Sequence, residues 1–342
     1  MRPFQLATAN EPDDVSRCGP FDEQAELTVG SPVQFLAGGT NLLDLMKLDV
    51  MTPERLIDIG PLAAGHCAIE ASEGGLTLGA FAHMADAARH AAVCRDYAVI
   101  SQSLWMAASP QLRNMATLGG NVLQRTRCLY FRDTSWRACN KRTPGSGCAA
   151  RDGVNRRLAV LGASEHCIAN YPGDFAIALV ALGAEVAVRS TAGEIRNIPF
   201  ETLHRLPGDT PHRETNLRPG ELIVAFHVPA GAWTRRSLYL KIRDRASYDF
   251  ALASAAVALD LDAQGVVRAA RIGIGGLAAK PWRAREAEAS LAGKLIDERS
   301  AREAADAAFA GAVVSGETAF KPELGRRTLV RALLEAAALE VA

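Results

Sequence analysis

The chain has no charge imbalance, no long apolar run and no dense cysteine framework, and each absence excludes a class of protein. Its 38 Lys and Arg residues balance 38 Asp and Glu over 342 positions, so no broad attraction to nucleic acid or anionic lipid is expected. The most apolar windows, 175–188 and 250–259, fall short of the roughly 18 residues that span a bilayer, and no membrane span is expected. Residues 1–10 lack a basic segment followed by an apolar run, so they do not read as a secretory signal. Seven unevenly placed cysteines are too few for a disulfide-built secreted scaffold. There is no internal repeat and neither a GxGxxG fingerprint nor a Walker A loop. What remains is an ordinary soluble composition, 49% hydrophobic and 22% charged, long enough for two or three compact units.

Local patterns divide the chain. Residues 33–37 form an apolar run ending in Gly38-Gly39, and Leu42, Leu45 and Met46 then keep helical spacing: strand, glycine turn, helix. Residues 56–59 and 76–78 read as strands. Residues 96–108 read as one helix stopped at Ser109-Pro110, because proline disfavours helix at the position before it. A second glycine turn follows at 118–121. Asp174 is placed to cap a helix over 175–182, with Gly183 as its stop. Residues 185–188 and 194–198 flank Thr191-Ala192-Gly193 as a hairpin. Strands at 222–228 and 238–242 lie either side of the 229–233 interruption, the expected domain boundary. Beyond it, 251–261 and 266–273 read as antiparallel strands, and the alanine-rich tail from Arg283 as two or three helices. This order predicts an α+β fold rather than a doubly wound sheet.

Two loops carry a ligand-binding design. In Phe35-Leu36-Ala37-Gly38-Gly39-Thr40-Asn41-Leu42, glycines let backbone N–H groups approach a ligand, and a following helix start favours an anion such as phosphate. Thr117-Leu118-Gly119-Gly120-Asn121 has a similar design. Either loop alone reads as a plain turn; together they suit a pyrophosphate gripped from both sides.

Between them and the next ordered stretch lies an arginine-rich segment, about 124–170, holding Cys128, Cys139, Cys148 and Cys167. Four thiolates in such a setting suit a metal, but the wide spacing does not choose between zinc, an iron–sulfur cluster, disulfides or coincidence. The surrounding cations suit a negatively charged cluster. Tyr130, Phe131 and Trp136 among the arginines leave open a zinc-stabilised nucleic-acid binder. Cys18, Cys67 and Cys94 read as buried small hydrophobes, and the seven histidines mostly as surface or packing residues.

The stretches AGGTNLLDLMKL (37–48), QLRNMATLGGNVLQRTRCLYFRD (111–133), CNKRTPGSGC (139–148) and KIRDRASYDFAL (241–252) resemble the FAD-binding subunits of bacterial molybdenum hydroxylases. Those subunits belong to the xanthine dehydrogenase family; the likeness is greatest to the flavin subunits of the periplasmic aldehyde oxidoreductase type, and it covers nearly the whole chain. The resemblance implies a two-part FAD-binding domain of the xanthine dehydrogenase and vanillyl-alcohol-oxidase type over 1–230, then a smaller sheet-and-helix domain over 235–342. It implies that Gln34, Phe35, Leu36, Ala37, Gly38, Gly39, Thr40, Asn41 and Leu42 hold the FAD pyrophosphate. Thr117, Gly120 and Asn121 would contact phosphate and ribityl. Asp174, in Tyr171-Pro172-Gly173-Asp174, would bond ribityl hydroxyls, Ile223 would pack near the isoalloxazine, and Lys241 would reach its polar edge. Cys128, Cys139, Cys148 and Cys167 would ligate a 4Fe-4S cluster, which ordinary members lack.

The implied role is electron transfer in a heterotrimer. A large molybdenum-cofactor subunit oxidises an aldehyde, a small 2Fe-2S subunit relays electrons, and FAD on this chain passes them to a terminal acceptor. A FAD oxidoreductase acting alone is the other flavin reading. With no signal of its own, the chain is expected in the periplasm if co-exported with a twin-arginine-bearing partner, and otherwise in the cytoplasm.

Overall fold

Three sheets organise the chain, whose computed structural model describes residues 1–22 and 24–341. Strands β1 (Gln5–Thr8), β2 (Val33–Leu36) and β3 (Arg55–Asp58) form a parallel sheet in the order β1-β3-β2. Strands β4 (Ile69–Ser72), β5 (Gly75–Gly79), β6 (Glu185–Arg189), β7 (Ile195–Pro199) and β8 (Leu222–Pro229) form an antiparallel sheet ordered β4-β5-β8-β6-β7. The third sheet is antiparallel, β12-β11-β10-β9, from β9 (Ser237–Ile242), β10 (Ala253–Leu261), β11 (Val267–Gly275) and β12 (Trp282–Arg283). Helices Arg285–Leu291, Glu298–Ala308 and Lys321–Ala337 close the tail. The expected α+β architecture is the one observed.

The most apolar helix, Phe175–Leu182, is buried at all eight positions and packs on β8, β10 and β11. Each of its large side chains adds about 1.5–3 kcal/mol of burial as an upper bound, so this helix clamps the second and third sheets together. Gly183, at φ 69°, closes it as expected.

Other local expectations change. Asp174 stands at the helix start but its side chain makes no cap bond; the carboxylate is taken by partners from β9. The single helix expected over 96–108 ends at Trp105, and Pro110 opens the next helix, Pro110–Met115. Ser109 is the N-cap there, accepting from the Leu112 N–H at 3.3 Å, and proline fits the first helical position because no N–H is needed. Residues 118–121 are likewise not a turn but the start of helix Leu118–Val122, capped by Thr117 Oγ1 accepting from Gly120 N–H.

The cysteine-rich segment is not an appended lobe. Cys128, Tyr130, Phe131, Cys139 and Cys167 share a small core with Leu45, Met46 and Val50, which follow the first glycine loop. Fully buried Lys321, at the start of the tail helix, donates to the carbonyls of Leu158 and Gly276, each at 2.7 Å. It pins the tail to the segment's far end.

Candidate functional site

A cavity of about 560 Å³ opens between the parallel sheet and the second sheet, within the range of ligand sites. Both glycine elements face it. Strand β2 contributes Gln34 and Phe35, the loop after it Ala37, Gly38, Gly39, Thr40, Asn41 and Leu42, and the second element Thr117, Gly119 and Gly120. Ile223, from β8, also lines the wall. Leu36 points the other way, onto the cysteine-side core. Asn121, Asp174 and Lys241 do not line the cavity, although the first lies in the adjoining helix.

The two glycine elements meet because Gly38 has no side chain. A Cβ there would overlap the carbonyl oxygen of Met115 and stand 2.8 Å from its carbonyl carbon. Gly39 turns the chain with φ 70°, the left-handed region that glycine enters without strain. Asn41 then ties the loops by accepting from the Arg125 N–H at 3.0 Å through its Oδ1. Its Nδ2 is buried without a partner, as is Oδ1 of Asn121. Two glycine-built walls that bring backbone N–H groups to one cavity fit a polyanionic dinucleotide.

Asp174 and Lys241 lie behind this wall as a buried ion pair, 2.8 Å between Nζ and Oδ2. Lys241 also donates to Met106 O, and the Tyr239 hydroxyl donates to the other Asp174 oxygen at 2.7 Å. Burial, and then the Asp174 charge, push the Tyr239 phenol well up, so it stays protonated. Tyr239 was legible in principle: residues two apart on a strand share a face, which places it beside Lys241.

Most of the segment's arginines are engaged within the protein; Arg137 is exposed. Arg127 and Arg132 pair with Asp44, Arg156 with Asp244, Arg157 with Asp244 and Asp249, and Arg125 with Glu214. Arg142 donates to the carbonyls of Tyr130 and Phe131. These six side chains are spent on carboxylates and carbonyls of the protein rather than gathered into a free basic face.

Glu214, which no sequence pattern marks, is the centre of a half-buried cluster at the cavity wall. Burial alone would raise its carboxyl, but the Lys141 and Arg125 cations overcome this and hold it down to about 2 from an ordinary 4.5. Lys141 donates to its Oε1 at 2.9 Å and lines both the main cavity and a second, much smaller one. Because the folded value lies below the unfolded one, this carboxylate adds stability that is full above about pH 4.5 and is lost as pH falls toward 2. Glu214→Gln is expected to flatten that acid limb in urea unfolding measured from pH 7 down to 3.

That smaller cavity, about 10 Å³, is lined by Cys128, Cys139, Cys148 and Cys167 together. All four thiols are free, and the backbones of Cys139 and Cys148 pair antiparallel across the intervening loop. Burial pushes the Cys128 thiol up to about 12 and Cys167 to about 11, and neighbouring sulfurs push the same way. Among the described residues no group of three or more His, Cys, Asp or Glu is arranged to hold a metal ion as it stands. The donors fit a soft metal in kind, with four thiols and no carboxylate in the lining; the thiols must turn to admit one. Cys67 and Cys94, expected to be buried, are exposed, and Cys18 is half-buried.

Comparison with known proteins decides the family. Residues 16–231 match the FAD binding domain in molybdopterin dehydrogenase, and residues 238–341 match the CO dehydrogenase flavoprotein C-terminal domain. The chain belongs to this family. The FAD-binding subunit PaoB of the Escherichia coli (strain K12) aldehyde oxidoreductase is 48% identical over 306 residues, 89% of this chain and 92% of that one. Subunit alpha of the 6-hydroxypseudooxynicotine dehydrogenase complex of Paenarthrobacter nicotinovorans is 24% identical over 90% of this chain and 88% of that one. Carbon monoxide dehydrogenase from Hydrogenophaga pseudoflava shares the fold, with a TM-score of 0.72 at 23% identity over 98% of this chain and 97% of that one. This FAD-binding subunit is thus an oxidoreductase subunit of the aldehyde and CO dehydrogenase type. No helix among its described residues is long and apolar enough to cross a membrane.

Proposed function

We propose that this chain is the FAD-carrying electron-transfer subunit of a molybdenum-dependent aldehyde oxidoreductase. The supporting observation is the paired glycine cradle in a chain that is 48% identical to an aldehyde oxidoreductase FAD-binding subunit over 89% of its length. Its partners are a large molybdenum-cofactor subunit, where the aldehyde is oxidised, and a small 2Fe-2S subunit that delivers electrons. The FAD unit spans 1–230 and the smaller unit 235–342. The assembly is periplasmic where a partner carries a twin-arginine signal, and cytoplasmic otherwise.

Bound FAD exchanges electrons singly or in pairs, which lets one-electron iron–sulfur donors serve a terminal acceptor. The chain's part is to hold and orient it. Residues 34–42 bring backbone against the diphosphate, Thr117 and Gly120 meet it from the other side with Asn121 behind them in the same helix, and Ile223 supplies an apolar surface for a ring. Asp174 and Lys241 fix the wall from behind, through the helix start and β9.

Cys128, Cys139, Cys148 and Cys167 are the ligands of a 4Fe-4S cluster. Their convergence on one small cavity supports this, with Cys128, Cys139 and Cys167 buried and Cys148 half-buried around it. The test is composition. Purified anaerobically, the chain is expected to contain about one flavin, four iron and four sulfide. Cys128→Ser and Cys167→Ser are each expected to lose most of the iron while keeping flavin. Flavin without iron or sulfide in the wild type would leave only the FAD reading, and zinc in a colourless protein would overturn both.

A further inference from the structure

A short hairpin sets Cys139 and Cys148 directly opposite each other. The Asn140 N–H donates to the Gly147 carbonyl at 2.8 Å, and the Ala149 N–H donates to the Ala138 carbonyl at 2.9 Å. These two bonds flank the cysteines on either side, which makes them a non-hydrogen-bonded antiparallel pair. Residues opposed in that way put their side chains on one face, with Cα atoms about 4.5 Å apart. A disulfide asks for about 4.4–6.8 Å.

The hairpin is held in this register by its own bonds. Ser146 Oγ accepts from the Cys139 N–H at 3.0 Å, and Asn140 Oδ1 accepts from the Gly147 N–H at 2.8 Å. Gly145 and Gly147, at φ 80° and 95°, turn the chain through the left-handed region. Both cysteines line the small cavity, and half-buried Cys148 is the more open of the two. The remaining pair is placed differently. Cys128 precedes helix Leu129–Arg132, while Cys167 is bridged to Ser164 and its sulfur accepts from the Ala169 N–H at 3.5 Å. Neither stands opposite a cysteine in any strand pairing among the described residues.

We propose that Cys139 and Cys148 are a dithiol–disulfide couple, closed by a small disulfide oxidant of the glutathione class, and that closure withholds two of the four sulfurs from a metal cluster. The second half rests on the cluster reading above; the first half does not. The exchange balances in two steps. The Cys148 sulfur attacks the oxidant, forming a mixed disulfide and releasing one small thiol. The Cys139 sulfur then attacks Cys148, closing the bond and releasing the second small thiol. Two protein thiols give up two electrons, one oxidant disulfide is reduced, and both protons leave on the released thiols. The couple is thus a gate on metal uptake. Reduced, the cavity offers four sulfurs; closed, it offers only Cys128 and Cys167, too few to hold a cluster.

The full-length chain, stripped of metal by chelator and reduced, is equilibrated with oxidised glutathione, quenched by alkylation and mapped by peptide mass spectrometry. The 139–148 linkage is expected to exceed every other linkage among the four cysteines by about tenfold or more. Exposed Cys67 and Cys94 are expected to carry glutathione alone. Cys148→Ser is expected to abolish the linkage without diverting Cys139 to Cys128 or Cys167; where that variant does not fold, the wild-type map decides. Ferrous iron and sulfide are then offered to the oxidised and the reduced wild type. The oxidised chain is expected to take up less than about a tenth of the iron bound by the reduced one, and to recover after dithiothreitol. Linkages spread evenly among the four cysteines, or glutathione adducts there without a linkage, overturn the couple. Equal iron uptake by the two forms overturns the gate. A 139–148 linkage in a chain that takes up no iron even when reduced would keep the couple and remove the cluster reading, and the gate with it.

Discussion

Lys241→Met is expected to cost about 3–5 kcal/mol of stability, the usual penalty for breaking a buried ion pair from one side. The Lys241 side chain is 1% exposed and that of Asp174 5%, so solvent cannot compensate the carboxylate left behind. Only the Tyr239 hydroxyl would still donate to it. The bond to Met106 O is lost as well, leaving that carbonyl only the longer one from Arg243 at 3.3 Å. The pair also joins the start of helix Phe175–Leu182 to β9, so the loss falls where the second and third sheets meet. Urea unfolding followed by fluorescence measures it. Converting both partners at once, Asp174→Leu with Lys241→Met, is expected to recover most of the deficit, because two apolar groups of similar size leave no stranded charge. A double variant as unstable as the sum of the singles would show that packing, not charge, carries the effect.

Gly38→Ala is expected to empty the cavity of flavin, from about one per chain to less than about a tenth. The added carbon would overlap the Met115 carbonyl oxygen, and its next neighbours are also backbone, Met115 carbonyl carbon at 2.8 Å and Ala116 Cα at 3.2 Å. Backbone cannot swing aside as a side chain can, so the two loops must part, at a cost of about 1–3 kcal/mol of strain. Residues 115–116 lead directly into Thr117 and its helix, so the displacement reaches both halves of the cradle. The tail core, built on β10, β11 and the last helices, lies away from this contact and is expected to stay folded. Flavin absorbance per chain and far-ultraviolet circular dichroism, read on the same sample, separate the two effects.

The sequence was most legible where structure is local. Alternation and turn residues located the β6–β7 hairpin and the β10–β11 pair, and the glycine loop after β2 was read with its helix. Proline at position 110 misled, because the same residue ends one helix by excluding helix before it and begins another by lacking an N–H. Asp174 misled similarly. A carboxylate before an apolar helix looks like a cap, but two donors from β9, more than sixty positions away, outcompete the helix N–H groups. Glu214 was illegible for a plain reason: it acts through neighbours brought in by the fold, Lys141 and Arg125. Its own surroundings in the chain carry no period and no motif.

Lys141 reaches both chambers at once, and the strip from Gln124 through Thr126 that faces the larger one runs on into Cys128 of the smaller. The two cavities thus share one lining side chain and adjoin along one stretch of backbone. Whatever occupies one room therefore leans on a wall the other occupant also touches. Thermodynamic reciprocity then requires that each guest alter its neighbour's grip by the same factor, whichever arrives first.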